Sequence, residues 1–175
     1  MEGRGYKGPV ISSVATILTT DPSLRIELAD ETATAALARR LAALSRPGDV
    51  IALSGDLGSG KTSFARAFIR ALGSGGEEVP SPTFTLVQIY DVSDRTIWHF
   101  DLYRLARPDD VWELGLEEAL ADGVSLIEWP DRLGGVLPRE RLDLALLPAG
   151  APQARRAVLT PSPAWAARVA ELAHG

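Results

Sequence analysis

Between an apolar run, Val50–Leu53, and a stretch with helical periodicity lies Gly55-Asp56-Leu57-Gly58-Ser59-Gly60-Lys61-Thr62. This G-x-x-x-x-G-K-[ST] octapeptide narrows the possible folds more than any other feature of the chain. Its glycines let the backbone wrap closely around an anion and adopt positive φ. The N–H groups of such a loop, with the N-terminus of the helix after it, converge on a phosphate. Lys61 supplies a point charge for the β and γ oxygens, and the Thr62 hydroxyl is placed for Mg2+, an oxygen-seeking ion. The expected nucleotide-contacting segment is therefore Asp56, Leu57, Gly58, Ser59 and Gly60, followed by Lys61, Thr62 and Ser63. The chain holds two lysines against sixteen arginines. One of the two stands where a compact ammonium fits and a planar guanidinium does not.

The surrounding pattern supplies the context such a loop needs. Arg25–Leu28 reads as a short strand, and Asp30 as the N-cap of a helix over Glu31–Leu44, with Leu37, Leu41 and Leu44 on one face. Arg46–Asp49 stops it, and Val50–Leu53 suits a strand buried on both faces. After the loop, Phe64, Phe68, Ala71 and Leu72 mark a second helix ended by Gly73. Thr83–Tyr90 and Thr96–Tyr103 are rich in strand formers, and Asp91–Arg95 joins them into an antiparallel hairpin. Pro108–Gly123 is helical with a break at Gly115, and Val124–Trp129 is another buried strand. Leu142–Leu147 and Arg155–Thr160 form a terminal strand pair. Ser162 caps a last helix with Pro163 at its first position, and Trp165, Val169 and Leu172 share a face. The expected class is α/β: a mixed, mainly parallel sheet with helices on both faces and an antiparallel hairpin insertion.

Length and charge bound the partners. The 175 residues suit one domain, 24–175, behind an N-terminal extension over 1–23. The formal net charge of -5 argues against a chain that grips nucleic acid by itself, though not against work on it through a partner. Cysteine is absent, which excludes thiol nucleophiles and cysteine-bound zinc, and only His99 and His174 could contribute imidazole. No apolar run is long enough to cross a bilayer. Val10–Leu18 loosely imitates a signal peptide, but Ser12, Ser13 and Thr16 interrupt it; a frayed extension or extra strand is expected, in a cytoplasmic protein.

Other residues extend the phosphate chemistry. Asparagine is absent, so the Asn-Lys-x-Asp guanine reader is too, and ATP is expected by exclusion. Glu128, at the tip of an apolar strand, needs a reason to be there. It is read as a direct or water-mediated Mg2+ ligand with Thr62, or else as a partner of an arginine such as Arg132. Asp101 is expected to face the same way as Trp98 and Phe100, with His99 opposite. It could orient the attacking water or hold Mg2+ through water; a salt bridge to Arg104 or a hydrogen bond to Tyr103 would be the structural alternatives. His99 is read as structural. Val79–Thr85 is stiffened by Pro80 and Pro82 and offers the Ser81, Thr83 and Thr85 hydroxyls, as a γ-phosphate sensor or as a rigid linker.

Four segments together, Gly55–Phe68, Ser81–Val87 (SPTFTLV), His99–Leu105 (HFDLYRL) and Ile127–Leu133 (IEWPDRL), resemble in order and spacing the TsaE family, small ATPases of bacterial tRNA threonylcarbamoyladenosine biosynthesis. Asp30–Leu44 is similar to the family's opening helix. The resemblance implies a P-loop ATPase fold, ATP and Mg2+, with Thr62 and Glu128 as the metal pair. It implies catalytic roles for Lys61, Asp101 and Glu128, and places Trp129 near the nucleotide or a partner. It further implies that transfer to adenosine 37 belongs to a TsaB–TsaD pair, which the chain would assist without touching tRNA directly. The competing reading is a small-molecule kinase, with Arg132, Arg139 and Arg141 as a lid. A third, a scaffold without catalysis, would need a broken site, and none of its residues is missing.

Overall fold

The computed structural model describes residues 22–174, so the expectations for Val10–Leu18 lie outside the described residues. Strand β1 (Leu24–Leu28) leads to Asp30, whose carboxylate accepts the Ala33 N–H at 2.9 Å and starts α1 (Glu31–Leu44). Strand β2 (Val50–Ser54) has four fully buried apolar residues, as a strand covered on both faces requires. Helix α2 (Lys61–Leu72) buries Phe64, Ala65, Phe68 and Ile69. Ala71, expected on that face, is exposed. Burial of each large side chain here contributes roughly 1.5–3 kcal/mol.

The hairpin is shifted from its expected place. Strand β3 (Val87–Val92) pairs antiparallel with β4 (Arg95–Asp101), and Ser93, at φ 45°, turns the chain between them. Thr83–Leu86 is a turn and not the start of the strand: the Leu86 N–H donates to Pro82 O at 2.7 Å and Leu86 sits at φ 65°. Proline-biased geometry thus overrides the β propensity of that segment. A 3₁₀ segment (Pro108–Leu114) and α3 (Leu116–Asp122) follow, broken at Gly115 as expected. Next come β5 (Val124–Glu128), a second 3₁₀ segment (Pro130–Val136), β6 (Leu142–Pro148), β7 (Arg155–Pro161) and α4 (Pro163–Leu172). Ser162 precedes α4, but its hydroxyl makes no capping bond; its carbonyl accepts the Trp165 and Ala166 N–H groups instead.

The seven strands run in the order β1-β7-β6-β2-β5-β4-β3. The four in the middle, β6-β2-β5-β4, are mutually parallel, and antiparallel pairs flank them on both sides. One face packs a core of Leu37, Leu41, Phe64, Phe68, Leu126 and Trp165, drawn from α1, α2, α4 and the sheet. The other packs Phe100, Val111, Leu116, Ile127 and Leu133 beneath α3 and the 3₁₀ segments. The chain is therefore a mixed α/β sheet with mainly parallel central strands and helices on both faces. Among the described residues, no helix is long and apolar enough to cross a membrane.

Candidate functional site

In open α/β sheets, ligands bind beyond the carboxyl ends of the parallel strands. Here β2, β5 and β4 are neighbours, and their C-terminal ends carry the glycine loop, Glu128 and Asp101. Parallel pairing sets Asp101 directly opposite Glu128. Local sequence determines the loop itself. Gly55 lies at φ 141°, and a Cβ there would meet Ser59 Oγ at 2.5 Å and Leu146 O at 2.6 Å, so no side chain fits. Gly60, at φ 103°, turns the chain into α2 and leaves the first N–H groups of the helix free of any side-chain cap.

Lys61 is buried, 5% exposed. Its ammonium donates to Gly55 O at 2.6 Å and Asp56 O at 2.9 Å, with Ser59 Oγ at 3.4 Å, and lies 4.2 Å from the centre of a Trp129 ring. Burial pulls its pKa below the ordinary lysine value, while the carboxylates of Glu128, Asp101, Asp56 and Asp131 oppose that shift. Thr62 Oγ1 donates to Glu128 Oε2 at 3.1 Å. Glu128, 2% exposed, places its other oxygen 2.9 Å from His99 Nε2. Arg132 is not its partner; that guanidinium lies over the Tyr103 ring.

Asp101 is on the opposite face from the one expected. Two-residue alternation groups it with Ile97 and His99, on the α2 side, whereas Trp98 and Phe100 stack together beneath α3. There Asp101 Oδ2 accepts from Thr83 Oγ1 at 3.0 Å and Ser81 Oγ at 3.4 Å, and Oδ1 accepts the Tyr103 N–H at 3.2 Å. Arg104 does not pair with it, lying instead over Phe84. The turn after Pro82 thus brings two hydroxyls to Asp101; Thr85 does not join them, since its hydroxyl faces Gln88.

A cleft of about 300 Å³ collects these groups: Leu57 through Ser63 on one wall, with Ser81, Thr83, Asp101, Glu128 and Trp129 on the other. Asp56 meets Lys61 through its carbonyl, which accepts from the ammonium, and its carboxylate acts on it only electrostatically. Across the loop, a second cleft of about 200 Å³ is lined by Glu31, Thr34, Ser63, Gln153 and Arg155 together with the loop glycines. Arg155 was not legible as a site residue. Its Nε donates to Ser59 O at 3.0 Å and its Nη2 to Gly58 O at 3.2 Å, so a strand from the far end of the chain fixes two loop peptides. Holding Ser59 O outward turns the N–H of the same peptide, that of Gly60, the other way.

The donor set suits a hard divalent cation. A hydroxyl and a carboxylate touch, next to a loop built for phosphate, and Mg2+ is usually held by one or two carboxylates plus substrate phosphates. Among the described residues, no cluster of three or more His, Asp or Glu forms a metal cage of its own.

A family model described as threonylcarbamoyl adenosine biosynthesis protein TsaE matches residues 28–157. The chain is 42% identical over 119 residues to the tRNA threonylcarbamoyladenosine biosynthesis protein TsaE of Rickettsia felis, covering 68% of this chain and 70% of that one. It is 42% identical over 118 residues to its Bacillus subtilis counterpart, covering 67% and 73%. The crystal structure of Bacillus subtilis YdiB superposes with a TM-score of 0.72 at 30% identity, over 87% of this chain and 95% of that one.

Proposed function

Because the chain belongs to the TsaE family, whose members serve threonylcarbamoyladenosine biosynthesis on a P-loop-type nucleotide-binding fold, we propose that it is a Mg2+-dependent ATPase. It acts with the TsaB–TsaD pair to support turnover of the tRNA modification. The observation that carries this reading is the single cleft in which the glycine loop, the Thr62–Glu128 contact and the Asp101–Thr83–Ser81 cluster meet.

Each residue has a task in it. Main-chain N–H groups over Asp56–Ser63 cradle the β-phosphate. Lys61 exchanges its bonds to the loop carbonyls for the β and γ oxygens. Thr62 and Glu128 would hold Mg2+, which would supply neutralisation of charge developing on the phosphoryl group. Asp101, beside the γ end, orients the attacking water. Ser81 and Thr83 report the γ-phosphate, because both hydroxyls already engage Asp101 and must rearrange when a further acceptor arrives. With the γ end on the Asp101 side, the nucleoside leaves the loop towards the second cleft, at Glu31, Thr34 and Arg155. The acidic chain meets tRNA only through its partners, in the cytoplasm.

Two of the three arginines of the kinase reading's lid are engaged within the chain. Arg141 donates to Asp143 at 2.8 Å and to Pro138 O at 2.7 Å, and Arg132 is stacked on Tyr103. The test is direct: purified protein with Mg·ATP should release phosphate slowly, and faster with the TsaB–TsaD pair. Phosphate arriving on a small metabolite instead of in solution would favour the kinase.

The sensor has its own expected result. Cleavage within 79–85 by a protease should slow with a non-hydrolysable ATP analogue relative to ADP. Identical digestion in the two states would remove the sensor role from Ser81 and Thr83.

A further inference from the structure

We propose that His99 is a positioning residue: its Nε2–H holds the Glu128 carboxylate in the plane that presents Oε2 to Thr62 and to a divalent cation beside it. The inference rests on the reading that Thr62 and Glu128 hold that cation.

The geometry is specific. His99 pairs with Leu126 in the sheet, two residues before Glu128, so the imidazole and the carboxylate project from adjacent strands to one face. His99 Nε2 lies 2.9 Å from Oε1, and Thr62 Oγ1 lies 3.1 Å from Oε2. A carboxylate rotates readily about its last bond; separate donors on its two oxygens remove that freedom. A carboxylate that holds a cation can only accept, so the cation-bound site requires the proton of this contact on Nε2. His99 is fully buried and its Nδ1 has no partner among the described residues, so the one hydrogen bond of the ring goes to Glu128. A histidine serving only to fill the core would be replaced by an apolar ring without loss; here an orphaned Nδ1 is tolerated for one bond to a candidate ligand. Groups that orient a metal-binding carboxylate in this way usually change metal affinity 10–100-fold when removed.

Two substitutions separate positioning from packing. His99→Gln keeps an amide N–H near the place of Nε2, and His99→Phe keeps the ring and removes the donor. The readout is Mn2+ affinity of the ADP-bound protein by electron paramagnetic resonance, with ADP affinity in EDTA and the thermal midpoint measured alongside. His99→Gln should stay within about 3-fold of wild type for Mn2+, and His99→Phe should weaken it about 10-fold or more. ADP affinity in EDTA should be the same for all three. Wild-type Mn2+ affinity in His99→Phe, or equal losses in both variants, overturns the proposal.

A second measurement covers a His99→Phe that does not fold. With only two histidines in the chain, nitrogen-15 NMR of the wild type reads His99 directly. A slowly exchanging Nε2–H resonance should move when Mg2+ is added to the ADP complex and stay still with ADP in EDTA. Its absence, or its indifference to Mg2+, overturns the proposal as well. A wild type that binds ADP but takes up no Mn2+ removes the cation reading itself, an outcome distinct from any difference among the variants.

Discussion

Lys61→Ala is expected to reduce ATP turnover about 100-fold or more while leaving the fold in place, because under the proposed function it deletes the ammonium that would meet the transferring phosphate. Two opposing terms set its stability. Gly55 O and Asp56 O lose a donor, each costing about 1 kcal/mol. Against that, the desolvation that lowers the lysine pKa disappears, and alanine is a better helix former at the start of α2. A circular dichroism melt close to wild type, with phosphate release near background, is the expected pair of results. Turnover persisting in Lys61→Ala would show that the loop does not hold the reacting phosphates. Lys61→Arg should fail too, since a planar guanidinium cannot occupy the space between the loop carbonyls and the Trp129 ring that the ammonium fills.

Glu128→Gln should be the most informative single change. It preserves volume and an acceptor for His99 while removing the charge. ADP binding in EDTA should stay close to the wild-type level, since the loop amides are untouched and the Lys61 ammonium, although it loses the Glu128 charge, remains in place. Addition of Mg2+ should no longer tighten binding, and hydrolysis should fall about 100-fold. The thermal midpoint should hold or rise, because a buried carboxylate is far more costly to desolvate than an amide. Nucleotide titrations with and without Mg2+, run beside a melt, decide it. Mg2+-dependent hydrolysis surviving in Glu128→Gln would falsify the metal role. A more stable but inactive protein is the signature of a residue kept for function at the expense of the fold.

Several features were legible because their determinants are local. The Asp30 cap, the buried strand β2, the break at Gly115 and the glycine loop each arise from residues within one turn or one strand of each other. The expectations that failed did so for different reasons. Thr83–Leu86 has strand-forming residues, but hydroxyls that bond Asp101 and a proline that shapes the turn outweigh that propensity. Strict two-residue alternation already separates Asp101 from Trp98 and Phe100, so its face was legible in the sequence; what the sequence does not show is that Glu128 lies opposite it on β5. Ser162 has the right chemistry for a cap, yet its buried hydroxyl has no partner among the described residues.

By itself, then, the amino-acid sequence specified a phosphate cradle on a strand–loop–helix unit, since φ limits, apolar runs and one lysine act over a dozen residues. Which distant groups meet at that cradle was decided by the tertiary structure. Glu128 lies 66 residues beyond Thr62, and Arg155 lies 96 beyond Ser59. Strand order brings them together: β5 and β4 beside β2 line up Glu128, Asp101 and His99, and the β6–β7 hairpin carries Arg155 back to the loop. Such contacts depend on which strands become neighbours, a property of the whole sheet that no local stretch encodes.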